Sequence, residues 1–156
     1  MANFQSGRGF TLIELLVALA ILAIVSAVAI PIYTQYSIRT YRTEAQSDLL
    51  SCAQGMERAA SRTFTYVNAL DTDNNGVGDT ASGAVTANIC TPRTTRYTLT
   101  LQAGATANTF TLRATPVVGS PVASNGLLEM DANGTQRWDK NNDGDTADSG
   151  ENVWHD

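Results

Sequence analysis

The sequence predicts an α+β chain in which one long amino-terminal helix covers a face of a four-stranded antiparallel sheet. Three observations predict it. Gly9 to Ile30 reads GFTLIELLVALAILAIVSAVAI, an apolar run with a single charge. Beyond it Ile38, Tyr41, Ala45, Leu49, Cys52, Met56 and Ala59 recur at spacings of three and four, one stripe of a continuing helix. Four short segments near the carboxyl end then alternate with period two, as half-buried strands do.

The apolar run comes first. At about 1.5 Å per helical residue, Phe10 to Ile30 spans roughly 30 Å, the thickness of a bilayer's hydrocarbon layer. Its one ionisable group is Glu14. A carboxylate at membrane depth costs roughly 2.5 kcal/mol or more, so it persists where it reaches the interface or where something pairs with it. Ahead of the run stands MANFQSGRG, with Arg8 as its only charge and no apolar core of its own. The secretory layout, with cleavage after the apolar stretch, is therefore absent, and processing is expected before the helix.

On Gly9, Phe10, Thr11, Leu12, Ile13 and Glu14 the chain resembles the type IV pilin family, whose precursors carry a short basic leader, a glycine, this pentapeptide and a long apolar helix. The resemblance implies cleavage between Gly9 and Phe10 by a prepilin peptidase, N-methylation of Phe10, and a role for Glu14 in assembly. Pro31 falls where pilins have a helix-perturbing proline; chemically, it removes one intrahelical hydrogen bond. In a bundle of such helices the Glu14 carboxylate of one subunit can neutralise the Phe10 amine of a neighbour. Such a pair sets register more than it adds strength, because the unpaired alternatives are poor in low dielectric.

The chain of 156 residues, 43% hydrophobic, holds one membrane helix and one small head. The expected organisation is a cleaved leader over 1–9, a transmembrane and assembly helix over 10–33, and a head over 34–156. Within the head lie an amphipathic helix over 34–60, a loop region over 61–96, the sheet over 97–138 and an acidic carboxyl-terminal loop over 139–156. Formal charge is −5, and loss of Arg8 with the leader leaves 9 basic against 15 acidic side chains, −6. An acidic chain is a poor partner for polyanions, which argues against nucleic acid. Arg39, Arg42, Arg58 and Arg62 do gather on the helix, where a solvated or subunit-contacting face accounts for them. Cys52 and Cys90 are the two cysteines. If their side of the membrane is oxidising they form the one possible bridge; two buried thiols are the alternative.

Residues 61–96 are rich in Thr, Asn, Asp, Gly and Ala and read as a long loop. Tyr97–Leu101 and Thr109–Thr115 form one predicted hairpin. Leu127–Asp131 and Thr135–Asp139, flanking Asn133-Gly134, form the second. Tyr97, Leu99, Leu101, Phe110, Leu112, Leu128 and Met130 make an apolar face that the helical stripe covers. The arrangement resembles the type IV pilin head. The stretch Phe110-Thr111-Leu112-Arg113-Ala114-Thr115-Pro116, with Gly126-Leu127-Leu128 and Trp138, resembles the PilE-like minor pilins.

Two loops concentrate oxygen ligands. Asp71, Asp73, Asn75, Val77 through its carbonyl, and Asp79 alternate around Gly76; Asp139, Asn141, Asp143 and Asp145 do so around Gly144, with Asp148 beyond. That spacing wraps a loop round Ca2+, a hard cation suited to hard oxygens. Neither loop has a bidentate Glu at its twelfth position, where Ser82 and Gly150 stand, so polar surface turns are the alternative reading.

Nothing in the sequence sets a nucleophile against a base, and the one histidine, His155, is penultimate, so no enzyme activity is expected. The resemblance implies a structural subunit of a type IV pilus, one of the minor pilins, serving pilus assembly, twitching motility and adhesion. Its implied partners are other pilin subunits, the prepilin peptidase and methyltransferase, and the inner-membrane assembly machinery. The implied location is the inner membrane with the head in the periplasm, then the cell-surface pilus. A pseudopilin of type II secretion is the alternative, followed by a membrane-tethered, calcium-dependent adhesive module.

Overall fold

The computed structural model describes residues 10–155. One helix, α1, runs from Leu12 to Thr63 without interruption at Pro31. The chain forms two compact units, one ending at Ser37 and one beginning at Ile38, and α1 contributes to both. In the first unit every large apolar residue from Phe10 to Ile32 is at least half exposed. Water is the wrong solvent for such a surface, and the helix is long and apolar enough to cross a membrane.

In the second unit the predicted stripe is the buried one. Ala45, Leu49, Cys52 and Met56 are fully buried, with Ile38, Tyr41 and Ala59 at the margin of the core. Burying a Leu or Met side chain is worth about 1.5–3 kcal/mol, so Leu49 and Met56 dominate the helix contribution. They lie in one core with Tyr97, Leu99, Leu101, Phe110, Leu112 and Leu128, the predicted inner face of the sheet.

The sheet is an antiparallel meander in the order β1-β2-β3-β4-β5: Gly83–Ala84, Tyr97–Leu101, Thr111–Pro116, Leu128–Asp131 and Gln136–Trp138. Five strands therefore stand where four were expected. The additional one, β1, lies inside the stretch read as loop and is only two residues long. Gly and Ala carry no strand propensity; β1 exists because the edge of β2 offers backbone partners, Gly83 to Leu101 and Ala84 to Thr100. The Asn133-Gly134 turn closes through Gly134 N–H to the Asp131 carbonyl at 2.9 Å, with Gly134 at φ 79°. That left-handed position is why glycine stands there.

Among the described residues, three charged side chains outside the two acidic loops and the carboxyl-terminal stretch are buried. Arg42, expected on a solvated or subunit-contacting face, is 7% exposed, and Asp48 and Glu129 are 4% and 7% exposed. Arg42 stacks 3.8 Å from the Trp138 ring and donates to Asn125 Oδ1 at 3.5 Å. Asp48 Oδ2 accepts the backbone N–H groups of Arg93 and Thr94, each at 2.8 Å. Glu129 pairs with Arg113 at 2.7 Å and accepts the Thr146 hydroxyl at 2.7 Å. Each charge is compensated, as burial requires.

The carboxyl-terminal stretch is tied to this framework. Trp138 N–H donates to the Glu151 carbonyl at 2.8 Å, covering the β5 edge. The Trp154 indole donates to the Glu129 and Arg137 carbonyls at 3.1 and 3.0 Å, and Gln46 on α1 donates to the Trp154 carbonyl at 2.9 Å.

Candidate functional sites

The amino end of α1 is built as a helix cap. Thr11 Oγ1 accepts the Glu14 N–H at 3.2 Å and the Thr11 carbonyl accepts the Leu15 N–H at 3.2 Å, satisfying donors that a helix start leaves orphaned. Glu14 sits in the first turn, where the positive end of the helix dipole favours an acid. Its side chain is exposed among apolar neighbours, and Phe10 is 85% exposed. The arrangement leaves both groups open to another chain. Gly9 lies outside the described residues. Pro31 is inside α1, and its carbonyl accepts the Thr34 hydroxyl at 2.9 Å.

Cys52 and Cys90 form a disulfide across 38 residues, joining α1 to the segment that follows the first acidic loop. Beside it Gly55 lies so close to the Ile89 carbonyl that a Cβ would overlap it. The bridge and the glycine together hold the segment against the helix.

Both acidic loops adopt one local geometry. In the first, the buried carboxylate of Asp71 accepts the N–H groups of Asn75 and Gly76 at 3.1 and 2.8 Å. In the second, buried Asp139 accepts those of Asp143 and Gly144 at 3.1 and 3.0 Å. Asn74 and Asn142 both take φ 59°, a left-handed position that asparagine tolerates. Residues two apart continue the wrapping: Asp73 accepts Asn75 N–H, Asn75 accepts Val77 N–H, Asn141 accepts Asp143 N–H, and Asp143 accepts Asp145 N–H. Alternate side-chain oxygens thus curl around each turn.

The loops differ in how their acids converge. Asp71, Asp73 and Asp79 each place an oxygen within 4.8 Å of the others, a set that can hold a metal ion. Hydrogen bonds hold the Asp79 carboxyl below its ordinary value of 3.8; the Thr80 hydroxyl contributes most, against a smaller opposing effect of burial, with Thr72 assisting. In the second loop Asn141 Nδ2 bridges Asp143 and Asp148, each at 2.9 Å. Asp145 accepts the Ala147 N–H at 2.8 Å. Glu151, one place beyond Gly150, accepts N–H groups from Lys140 and Asp148 across the base of the loop. The donors of the first loop are all oxygens, a set fitted to a hard divalent cation.

Sequence reasoning missed the cleft at the other end of α1. Arg58 and Arg62 stand on successive turns and line an opening of about 240 Å³ with Val67, Asn68, Val77 and Asn88. Only the clustering of arginines on the helix pointed toward it.

Comparison with known proteins agrees with this architecture. Residues 31–126 match the family model described as "Type IV minor pilin ComP, DNA uptake sequence receptor", and residues 5–30 match the prokaryotic N-terminal methylation motif. The prepilin peptidase-dependent protein D of Escherichia coli is 34% identical over 138 residues, 86% of this chain and 82% of that protein. The type IV major pilin protein PilE of Neisseria gonorrhoeae is 33% identical over 78 residues, 50% of this chain and 44% of that protein. A fimbrial protein of Pseudomonas aeruginosa is 44% identical over 55 residues, 35% of this chain and 36% of that protein. The chain thus spans about a third to a half of the length of several curated relatives. No solved structure matches it. An apolar helix opening on a methylation motif, carrying a lone acid in its first turn and running into a disulfide-tied head, makes this chain a member of the type IV pilin family.

Proposed function

We propose that the chain is cleaved after Gly9, methylated on Phe10, held in the inner membrane by residues 10–33 with its head in the periplasm, and then built into a type IV pilus. One observation carries the reading: Glu14 is exposed and is the one charged residue of the apolar stretch from Phe10 to Ile32, four residues from the amine that cleavage would create. A simple anchor gains nothing from that acid, whereas a bundle of such helices gains a register. Adhesion and twitching motility follow from fibre membership rather than from chemistry in the head.

The acidic loops support a second element of the proposal, that Ca2+ stiffens the head. The first loop would hold the ion through Asp71, Asp73, Asn75, the Val77 carbonyl and Asp79; the second through Asp139, Asn141, Asp143, Asp145 and Asp148. The matched family's description names DNA uptake, but a net charge of −5 favours the structural role for this chain.

The test is Glu14→Ala in cells making the full chain. The variant should be as abundant in the inner membrane as the parent and be depleted about tenfold in sheared fibres, the penalty of roughly one lost pairing interaction. Mass spectrometry of the mature parent should give an amino terminus at N-methylated Phe10. Equal amounts of parent and variant in the fibre fraction would refute the role of Glu14.

A further inference from the structure

We propose that the carboxyl end of α1 carries a binding site for a neutral sugar ring, with Phe64 as its stacking platform, independently of fibre assembly. The signal is a side chain that the fold does not use. Among the described residues every left-handed position is filled by glycine or asparagine except one, Phe64, at φ 57°. It stands just past Thr63, the last helical residue, and its N–H closes α1 on the Ala60 carbonyl at 2.7 Å. That cap position selects glycine, because a Cβ there crowds the backbone, and a bulky ring suits it poorly. The ring gives little back to the core, being 88% exposed. Backbone strain and apolar exposure at one residue both cost the fold, and such a cost persists where a ligand uses the side chain.

What surrounds Phe64 identifies the ligand. With Glu57, Ser61, Tyr66 and Asn108 it lines an open hollow of about 350 Å³, at the small end of ligand sites. The Tyr66 ring is held edge-on to Phe110 with centroids 4.8 Å apart, and its phenol donates to the two Glu57 carboxylate oxygens at 2.9 and 3.0 Å. The second aromatic wall and the acid are thus in place before any ligand arrives. Glu57 keeps acceptor capacity beyond the one proton it receives from Tyr66. Asn108 sits on a turn fixed by the Thr106 hydroxyl, which accepts the Asn108 and Thr109 N–H groups at 3.2 and 3.1 Å, and its carboxamide has no partner among the described residues. A sugar ring needs this set: its apolar C–H face lies on aromatic rings, while its hydroxyls donate to a carboxylate and exchange hydrogen bonds with an amide. Among the described residues no lysine or arginine lines the hollow, and Glu57 repels anions, which disfavours phosphates, nucleic acid and acidic sugars. A simple cation would use Glu57 and the rings but leave the Asn108 carboxamide idle.

The experiment is saturation-transfer NMR on the full chain in a polyoxyethylene detergent, which contains no sugar to compete. The probes are methyl β-glucopyranoside, methyl β-galactopyranoside, N-acetylglucosamine and lactose at millimolar concentration, with glucuronate and tetramethylammonium as charged counterparts. At least one neutral sugar should receive saturation, strongest at its ring C–H protons, and glucuronate should receive less than glucopyranoside. Phe64→Gly should weaken binding about tenfold while melting no lower than the parent by circular dichroism, because glycine relieves the cap. Asn108→Ala should weaken binding about fivefold through the lost hydrogen bond. Absence of transfer to every neutral sugar, or transfer that Phe64→Gly leaves unchanged, overturns the site. Transfer to tetramethylammonium alone overturns the sugar assignment and makes the hollow a cation site. A Phe64→Gly chain that melts clearly lower gives the ring a structural role and removes the ground for the proposal.

Discussion

Removing the disulfide is the most quantitative perturbation the structure offers. Cys52 and Cys90 close a loop across 38 residues, and the chain-entropy relation for that length gives about 4 kcal/mol lost from the bridge-free chain. Cys52 is fully buried and Cys90 is 8% exposed, so alanine at both sites removes two packed sulfur atoms as well. Against a typical domain stability of about 5–15 kcal/mol the loss is large but survivable. At roughly 4 °C per kcal/mol for a domain of this size, the Cys52→Ala/Cys90→Ala chain should melt about 15 °C lower. The assay is thermal unfolding of the full chain in detergent, followed by circular dichroism, with reduced and alkylated parent as a second sample. The loop between the two positions carries Asp71, Asp73 and Asp79, so limited proteolysis should also cut first between residues 65 and 88 once the bridge is gone. A fall of under about 3 °C, with an unchanged cleavage pattern, would refute the reasoning.

Three further outcomes are expected. Gly55→Ala gains about 1 kcal/mol of helix propensity but drives its Cβ into the Ile89 carbonyl, so net destabilisation of about 2 kcal/mol should appear in denaturant unfolding. In millimolar CaCl2 the full chain in detergent should melt higher than in EDTA at matched ionic strength, near 2.7 kcal/mol if the ion stands at about a hundred times its dissociation constant; Asp73→Ala and Asp143→Ala should each narrow the gap. Asp131 is partly desolvated, which alone would raise its pKa, but hydrogen bonds from Thr135 and Asn133 and the Arg137 ion pair at 2.9 Å outweigh this and hold the carboxyl below 3.8. A lowered folded-state value contributes stability above the unfolded value and loses it as pH falls through the folded one. Acid titration of Asp131→Asn should therefore give a shallower loss of stability below about pH 4, and an unchanged acid limb would contradict the assignment.

Much of this molecule is written in short-range pattern. The membrane run, Glu14 and the Ala45, Leu49, Cys52 and Met56 stripe follow from helical periodicity, which depends only on neighbours three and four residues away. The alternating residues of β2 to β5 and the Asn133-Gly134 turn were legible for the same reason. So were the two acidic loops, because the carboxylates of Asp71 and Asp139 reach N–H groups only four and five residues on. What only the tertiary structure decided involves partners far apart in the chain. The two-residue β1 has no propensity of its own and forms because β2 presents an edge. The burial of Arg42, Asp48 and Glu129 depends on Trp138, the Arg93 and Thr94 amides, and Arg113, distant partners that compensate them. The Arg58 and Arg62 cleft likewise needs the chain from Val67 to Asn88 folded against the end of α1, and no local pattern can encode a surface whose two walls lie that far apart in sequence.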